Sequence, residues 1–188
     1  NASTGLGVPK DEREKSTYDL LTGKASLKDV VKKTNIPSLF IAPASTDLSS
    51  IDVDLFEEQG RVLKLRDLLA KESSDFDFIL IDCPPSLNLL TINSMVASNS
   101  VLVPLQAEFF ALEGLSQLLL TVRDIRSKIN QDLKIHGIVL TMFDKRNNLS
   151  EQIEEDVRGN LGELVYDTVI PRNVRVSAAP SFSMPALI

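Results

Sequence analysis

The strongest constraint on the fold is an alternation of short apolar runs with segments of helical periodicity. Five runs are predicted to be buried strands, because they are short, largely apolar and bounded by turn residues. They cover residues 38–44, 76–82, 100–105, 135–142 and 164–170. Strands joined through helices predict right-handed crossovers and an α/β fold, with a mainly parallel sheet flanked by helices on both faces. Nearly unbroken apolar strands favour the same fold, since parallel strands are covered on both sides.

Helical spacing marks three of the intervening segments, in which apolar residues recur at steps of three or four. These segments are residues 57–71, 115–129 and 149–161, and residues 86–97 are also predicted to be helical. Asn148, with Glu151 three residues later, predicts a start resembling a capping box for the last helix. The first 35 residues are polar and less regular. Short helices are expected there at 17–21 and 27–33, and the charged run 11–15 is interpreted as a solvated segment.

Composition bounds the class of protein. The 188 residues suffice for a single domain over 1–188, and with 43% hydrophobic and 24% charged residues the chain is typical of globular proteins. No apolar run approaches the roughly 18 residues of a membrane span, and the first residues lack the apolar core of a signal peptide. One cysteine, Cys83, excludes an internal disulfide, and one histidine, His136, leaves few zinc ligands. We expect the protein to reside in a reducing cytoplasm. We expect Cys83 to be a buried residue of the hydrophobic core.

Polar residues follow four consecutive strands of the predicted sheet. They are Asp82 after the second run, Gln106 and Glu108 after the third, Asp144 to Arg146 after the fourth, and Pro171 to Asn173 after the fifth. Ligands of parallel sheets bind beyond the carboxyl ends of the strands, so the set predicts a binding edge. For any single residue, the start of a polar loop is an equally good interpretation.

Asp82 is the most informative member of this set. An acid that ends a buried apolar strand is the arrangement by which P-loop nucleotidases hold magnesium, usually through water. Many α/β proteins end a strand with Asp, so the pattern is weak by itself. The two prolines at 84 and 85 make it more specific.

Five longer stretches carry a family resemblance. They are "NASTGLGV", "DFILIDCPPSLNLLTINSM", "VLVPLQAEFFALEGLSQLL", "GIVLTMFDKRNNLSEQIEEDVR" and "TVIPRNVRVSAAPSFSMP". Together the five stretches cover nearly the whole chain. With these stretches in this order, the chain resembles the ParA/Soj family of chromosome- and plasmid-partitioning ATPases, within the deviant-Walker P-loop class. No single stretch is specific, whereas the set is.

The resemblance implies ATP and magnesium as cofactors. Asp82 corresponds to the Walker B acid, which acts on magnesium through water. Glu108 matches the acid that reaches the nucleotide ribose across a sandwich dimer. Asp144, Pro171 and Asn173 match elements around the adenine base.

The same resemblance implies DNA and protein partners. Arg146 and Arg175 lie where family members carry arginines for sequence-nonspecific DNA binding by the ATP-bound homodimer. Because the net charge is −6, the basic groups that contact DNA must be concentrated on one face or shared across the dimer. A ParB-type centromere-binding protein is the expected partner that stimulates hydrolysis. The expected location is cytoplasmic and nucleoid-associated, with no membrane involved.

A phosphate-binding loop is absent from the chain, which contains no G-x-x-x-x-G-K-[ST]. In the family a "KGGVGKT" loop lies upstream of "NASTGLG". The resemblance therefore predicts a piece of a longer ATPase, with an incomplete P-loop NTPase fold, without the family's C-terminal helix, and inactive alone. Two alternatives are a MinD-like membrane-associated ATPase, which needs a C-terminal amphipathic helix, and a P-loop-less binding or regulatory module. The single cysteine disfavours iron–sulfur relatives.

Overall fold

A computed structural model describes residues 2–183, and for Phe109 it describes the backbone alone. The chain divides into two compact units. The first unit comprises Asn1–Ala97 together with Val174–Ile188, and the second unit comprises Ser98–Asn173. Each unit has a hydrophobic core of its own. A single domain over 1–188 stays a prediction. Within the described range, no helix combines the length and the apolar character needed to cross a bilayer.

The first unit is built mainly from short helices. In chain order its elements are α1 (Ala2–Gly5), a 3-10 turn (Lys10–Glu12), α2 (Thr17–Leu21), α3 (Leu27–Val30), β1 (Lys32–Lys33), β2 (Phe40–Ile41), a second 3-10 turn (Thr46–Ser50), α4 (Ile51–Asp54), a third (Arg61–Leu63), α5 (Lys64–Glu72) and α6 (Leu89–Ala97). The helices predicted at 17–21, 57–71 and 86–97 are confirmed, although α5 begins later than its periodicity suggests. The helix predicted at 27–33 ends at Val30.

The predicted strand at 38–44 shrinks to β2, which pairs antiparallel with β1. Thr34 donates its backbone N–H to the carbonyl of Leu39 at 3.1 Å, and Ser38 has a left-handed φ of 61°. This tight turn folds the run back onto Lys32–Lys33. Because its partner is the segment just before it, the run forms a hairpin and not a member of the parallel sheet.

The predicted strand at 76–82 is wrong. No helix or strand lies between Glu72 and Leu89, and Phe78 and Leu80 are 90% and 94% exposed. A strand is held by backbone hydrogen bonds to a neighbour, and among the described residues 77–85 make none. Asp82 and Cys83 are consequently exposed in an irregular segment. The expectations of a buried strand before Asp82 and of a core Cys83 are therefore corrected.

Arg13 ties the beginning of the chain to the rest of the first unit. Its guanidinium donates to the carbonyls of Val8 (2.6 and 3.2 Å) and Ala44 (3.0 Å) and to Oγ1 of Thr4 (2.9 Å). Ala44 in turn donates its N–H to Oγ of Ser3 at 3.1 Å. The interpretation of residues 11–15 as a solvated run is therefore wrong for Arg13, whose hydrogen bonds hold Thr4 and Val8 next to Ala44.

The second unit contains the parallel pair that the sequence predicts. Its elements are β3 (Ser100–Gln106), α7 (Phe109–Lys128), β4 (Lys134–Thr141), α8 (Asn148–Leu161) and a 3-10 turn (Gly162–Leu164). β3 and β4 are adjacent and parallel, joined through α7. The chain then returns to the first unit in α9 (Val174–Ala178) and a 3-10 turn (Ala179–Phe182). The strands at 100–105 and 135–142 and both long helices are confirmed.

The predicted fifth strand at 164–170 pairs with β4 at isolated points only. Tyr166 donates its N–H to the carbonyl of Ile138 at 2.9 Å, and Ile170 donates to that of Leu140 at 2.8 Å. This return segment therefore advances by four residues, from Tyr166 to Ile170, while β4 advances by two, from Ile138 to Leu140. This mismatch interrupts the regular ladder of hydrogen bonds. The segment still runs parallel to β4, with bridges at Ile138–Val165 and Phe143–Pro171.

The core of the second unit lies between the sheet and its two helices. The parallel register sets Val103 beside Ile138 and Leu105 beside Leu140, so these four side chains share one face. They form one cluster with buried residues of the helices and of the return segment: Leu115, Ile153, Val157 and Val165. The apolar spacing in α7 and α8 therefore marks the packed faces, as the sequence predicts.

Candidate functional site

Three segments end at one edge of the second unit, because β3, β4 and residues 165–171 run parallel. Ala107 donates its N–H to the carbonyl of Thr141 at 3.2 Å, and Arg172 donates to that of Phe143 at 3.0 Å, so the pairing extends past the strands. We call this the carboxyl edge. It brings together the predicted site residues of this unit: Glu108, Asp144, Arg146, Pro171 and Asn173.

Glu108 is held in an ion pair at this edge. It is the N-cap residue of α7, with extended backbone, but its side chain does not cap the helix. Its Oε1 instead accepts from Nη2 of Arg172 at 3.3 Å. Both side chains are more than half exposed, so the pair orients them and contributes little to stability. The sequence interpretation includes Arg172 only as part of the turn from Pro171 to Asn173 and does not predict its contact with Glu108.

Asp144 and Arg146 form a local two-point contact. Oδ1 of Asp144 accepts from the backbone N–H and from Nε of Arg146, both at 3.0 Å, and Oδ2 accepts from Nη2 at 2.8 Å. The Arg146 guanidinium, with help from its backbone N–H and from the positive charge of Arg172, lowers the pKa of the Asp144 carboxyl to about 2. Asp144 is therefore a carboxylate under all physiological conditions.

Removing the guanidinium is expected to raise the pKa of Asp144. In Arg146→Ala the largest cause of the shift is gone, so the pKa should move toward the ordinary value of 3.8. The lowered pKa stabilises the fold above the unfolded-state pKa, and this contribution disappears as the pH falls through about 2. Carboxyl carbon NMR titration measures the pKa. Arg158→Ala, which removes an arginine paired with Glu154, is the control; an unmoved Asp144 pKa in Arg146→Ala contradicts the assignment.

Two long helices begin at the carboxyl edge. α7 starts directly after Glu108, and α8 is capped by Asn147, whose Oδ1 accepts from the Leu149 N–H at 3.1 Å. The cap therefore lies one residue before the predicted Asn148. Helix starts present unpaired N–H groups and a partial positive charge. Together with Arg146 and Arg172 they make this edge suited to an anionic ligand, despite the net charge of −6.

The remaining predicted residues, Asp82 and Arg175, belong to the first unit. Asp82 is exposed in the irregular segment after Ile81, and Arg175 is exposed on α9. Within residues 2–183, no group of three His, Cys, Asp or Glu side chains is arranged to hold a metal ion. A lone exposed carboxylate still fits magnesium, which binds through one or two carboxylates, several waters and the phosphates of a nucleotide.

The chain is similar to proteins of known class. A family model described as an AAA domain matches residues 1–135. The chromosome partitioning protein ParA of Caulobacter vibrioides is 50% identical over 190 residues, covering 100% of this chain and 71% of that protein. The sporulation initiation inhibitor protein Soj of Bacillus subtilis is 45% identical, covering 100% of this chain and 74% of that protein.

Two solved structures superpose on nearly the whole chain. Cobyrinic acid a,c-diamide synthase of Mycobacterium smegmatis, with bound ADP and magnesium, superposes with a TM-score of 0.83 at 34% identity over 96% of this chain and 74% of that one. The cell division ATPase MinD of Pyrococcus furiosus superposes with a TM-score of 0.75 at 24% identity, covering 98% of this chain and 71% of that one. The likeness to MinD shows the fold alone.

The parallel strands with their covering helices form an α/β fold, and the superposition on a structure with bound ADP and magnesium shows that this fold is of the P-loop NTPase type. The resemblance seen in the sequence is confirmed by relatives that match over the whole length of the chain. The chain belongs to the ParA/Soj family of partitioning ATPases.

Proposed function

We propose that the intact protein is a chromosome- or plasmid-partitioning ATPase of the nucleoid. It binds Mg-ATP, forms an ATP-dependent homodimer, binds DNA without sequence specificity, and hydrolyses ATP when a ParB-type centromere-binding protein stimulates it. The observation that carries the proposal is the carboxyl edge of the second unit, at which α7 and α8 begin. This edge holds two ion pairs, Arg146–Asp144 and Arg172–Glu108.

The carboxyl edge supplies the contacts proposed for the nucleotide. Asp144 and the turn from Pro171 to Asn173 lie around the adenine, and Glu108 reaches the ribose of a nucleotide bound across the dimer. Because Arg172 holds Glu108 in the described conformation, that reach requires the ion pair to open or to shift. The exchange is easy, since both side chains are more than half exposed.

Asp82 is proposed to hold magnesium through water. A magnesium ion held there would supply positive charge that offsets the negative charge of the phosphates during phosphoryl transfer to water. Asp82 has no arginine or lysine partner among the described residues. These 188 residues contain no G-x-x-x-x-G-K-[ST] loop. We therefore propose that a polypeptide of these residues alone binds nucleotide weakly and does not hydrolyse it.

DNA contact is proposed for Arg146 and Arg175. The Arg146 side chain is 89% exposed, so its outer face can meet a phosphate while its inner face stays on Asp144. Arg175 is exposed on α9. Each arginine that contacts a phosphate releases condensed counterions, so binding weakens steeply with salt.

The test is DNA retention by the intact protein with and without ATP. In Arg146→Ala plus Arg175→Ala we expect ATP-dependent binding to nonspecific DNA to fall at least about tenfold. With up to four arginines lost per dimer, the salt dependence should be shallower by as much as about 3.6 in logarithmic slope. Arg123→Ala plus Arg126→Ala, two arginines of α7, is the control with the same charge change.

Three outcomes contradict parts of the proposal. Unchanged DNA binding in the double variant removes Arg146 and Arg175 from the DNA interface. Binding of the wild type to anionic vesicles in place of DNA favours the MinD-like alternative. Absence of ATP hydrolysis in the intact protein, with the partner present, favours a binding or regulatory module.

A further inference from the structure

The return segment, residues 165–171, pairs with β4 in an irregular register. Two backbone hydrogen bonds join them: Tyr166 donates to the Ile138 carbonyl at 2.9 Å, and Ile170 donates to the Leu140 carbonyl at 2.8 Å. In a regular parallel ladder, donors two residues apart on one strand meet acceptors two residues apart on the other. A regular ladder continued from Tyr166 would therefore bring the residue two positions later, and not Ile170, to Leu140. The register is shifted by two residues.

This shift decides which side chain reaches the carboxyl edge. A strand advances by about 3.3 Å per residue, so a regular register would displace the end of the segment by about 7 Å. Nη2 of Arg172 lies 3.3 Å from Oε1 of Glu108, and the Arg172 N–H donates to the Phe143 carbonyl at 3.0 Å. Neither contact survives a displacement of that size. The place of the turn from Pro171 to Asn173 therefore depends on the groups that hold the irregular register.

Arg158, in the last turn of α8, contacts the segment where the register is shifted. Its Nη2 donates to the Tyr166 carbonyl at 3.1 Å and to the Asp167 carbonyl at 3.3 Å. In a regular parallel ladder the Tyr166 carbonyl would accept the next N–H of β4. Arg158 thus takes up an acceptor that the regular register needs. Its Nε donates to Oε1 of Glu154 at 2.8 Å, so the guanidinium is also fixed to its own helix.

Gly137 receives the same end of the segment on the sheet side. The Tyr166 ring lies so close to β4 that a Cβ on Gly137 would come within 2.5 Å of Cε2 of the ring. Real Cβ atoms do not come that close to a neighbour, so a larger residue at this position must push the ring away. The ring and the guanidinium of Arg158 therefore hold Tyr166 from two sides.

We propose that Arg158 and Tyr166 are positioning residues for the nucleotide contacts of the carboxyl edge. They hold the register of the return segment, and through it they place the turn from Pro171 to Asn173 and the Arg172–Glu108 pair. Neither residue contacts the nucleotide itself. The inference rests on the proposed function in one respect: the turn is taken to lie around the adenine base.

The experiment uses the intact protein and measures backbone pairing and nucleotide selection separately. Amide hydrogen exchange, followed by NMR without nucleotide, reports on the N–H groups of Ile170 and Arg172. Steady-state hydrolysis of ATP and of GTP gives kcat and KM for each nucleotide. The variants are Arg158→Ala, Arg158→Lys and Gly137→Ala. The control is Arg123→Ala, which removes an exposed arginine of α7 with the same charge change as Arg158→Ala.

In Arg158→Ala we expect exchange at Ile170 and Arg172 to become at least about tenfold faster, because two hydrogen bonds to the segment are lost. KM for ATP should rise by a similar factor while kcat at saturating ATP changes less than about twofold, and the preference for ATP over GTP should fall. A loss of stability alone lowers the amount of active protein and leaves KM unchanged. Arg158→Lys, which can donate to a carbonyl but lacks the planar fork, should recover part of the loss.

Gly137→Ala tests the same register with Arg158 in place. The displaced ring should raise the exchange rate at Ile170 and the KM for ATP in the same direction as Arg158→Ala does. Asp144 contacts Arg146 within its own loop, outside the return segment. The pKa of Asp144 should therefore stay low in both variants, which shows that the end of β4 is intact.

Each contrary outcome has a distinct meaning. If exchange and KM in Arg158→Ala and Gly137→Ala match the Arg123→Ala control, the positioning inference is overturned. If kcat falls while KM and the choice between ATP and GTP stay at wild-type values, the inference is likewise overturned. If exchange rises as expected but the wild type hydrolyses neither nucleotide, the hold on the return segment stands and the proposed function fails.

Discussion

Replacement of Ile138 by alanine is expected to lower the free energy of unfolding of the second unit by about 3 kcal/mol. Ile138 lies in β4, between β3 and the return segment, with none of its side chain exposed. It packs in the cluster that joins the sheet to α7 and α8. Its backbone carbonyl also accepts a hydrogen bond from the Tyr166 N–H. Because Ile138 is paired both with β3 and with the return segment, the backbone cannot easily move in to fill the cavity left by alanine.

Tyrosine fluorescence isolates this effect. The chain has no tryptophan and two tyrosines, Tyr18 in the first unit and Tyr166 in the second. In a Tyr18→Phe background, urea unfolding followed at Tyr166 therefore reports on the second unit. Ile138→Val should cost about 1 kcal/mol, and Leu120→Ala, at a 45% exposed position, less than Ile138→Ala. Equal losses for Ile138→Ala and Leu120→Ala would contradict the central position assigned to Ile138.

The second unit could be predicted from sequence because its local patterns and its packing agree. The apolar spacing of α7 and α8 points to the side chains that are buried against the sheet, including Leu115, Ile153 and Val157. β3 and β4 are apolar runs that pair with each other in the sheet. When propensity, periodicity and long-range pairing all favour the same secondary structure, periodicity alone is sufficient to predict it.

The first unit could be predicted less well, because hydrophobicity does not say which segment pairs with which. The run at 76–82 has the composition of a strand, yet Phe78 and Leu80 are exposed and no backbone hydrogen bond from 77–85 joins it to a described neighbour. The run at 38–44 turns back on the residues before it. Pairing partners are a tertiary property, so a strand-like composition is necessary for a strand and not sufficient.

The sequence predicts which residues the strand ends bring together, but it does not predict the arginine contacts near them. Parallel topology alone brings Glu108, Asp144 and Pro171 to one edge. The contacts of Arg172 with Glu108 and of Arg13 with Ala44 join residues 64 and 31 positions apart. No local pattern encodes such distant contacts, and a charged side chain is most often solvated.

Replacement of Asp82 by asparagine is expected to reduce Mg-dependent ATP hydrolysis by the intact protein about 10- to 100-fold. This is the range seen when a group that orients a metal through its outer shell is lost. Asparagine keeps the shape and an oxygen acceptor but removes the negative charge that attracts the cation. Because Asp82 is exposed in an irregular segment, the free energy of unfolding should change by less than about 0.5 kcal/mol.

The metal dependence of the rate distinguishes a magnesium role from a structural one. In Asp82→Asn the magnesium concentration giving half-maximal hydrolysis should rise, and excess magnesium should recover part of the rate. Asp77→Asn, an exposed acid five residues earlier in the same segment, is the control and should leave both the rate and the magnesium dependence unchanged. A loss of rate in Asp82→Asn at unchanged magnesium dependence would move Asp82 from the metal to another step. Wild-type behaviour of that variant would remove the acid from the site altogether, and the carboxyl edge of the second unit would remain as the part proposed to contact the nucleotide.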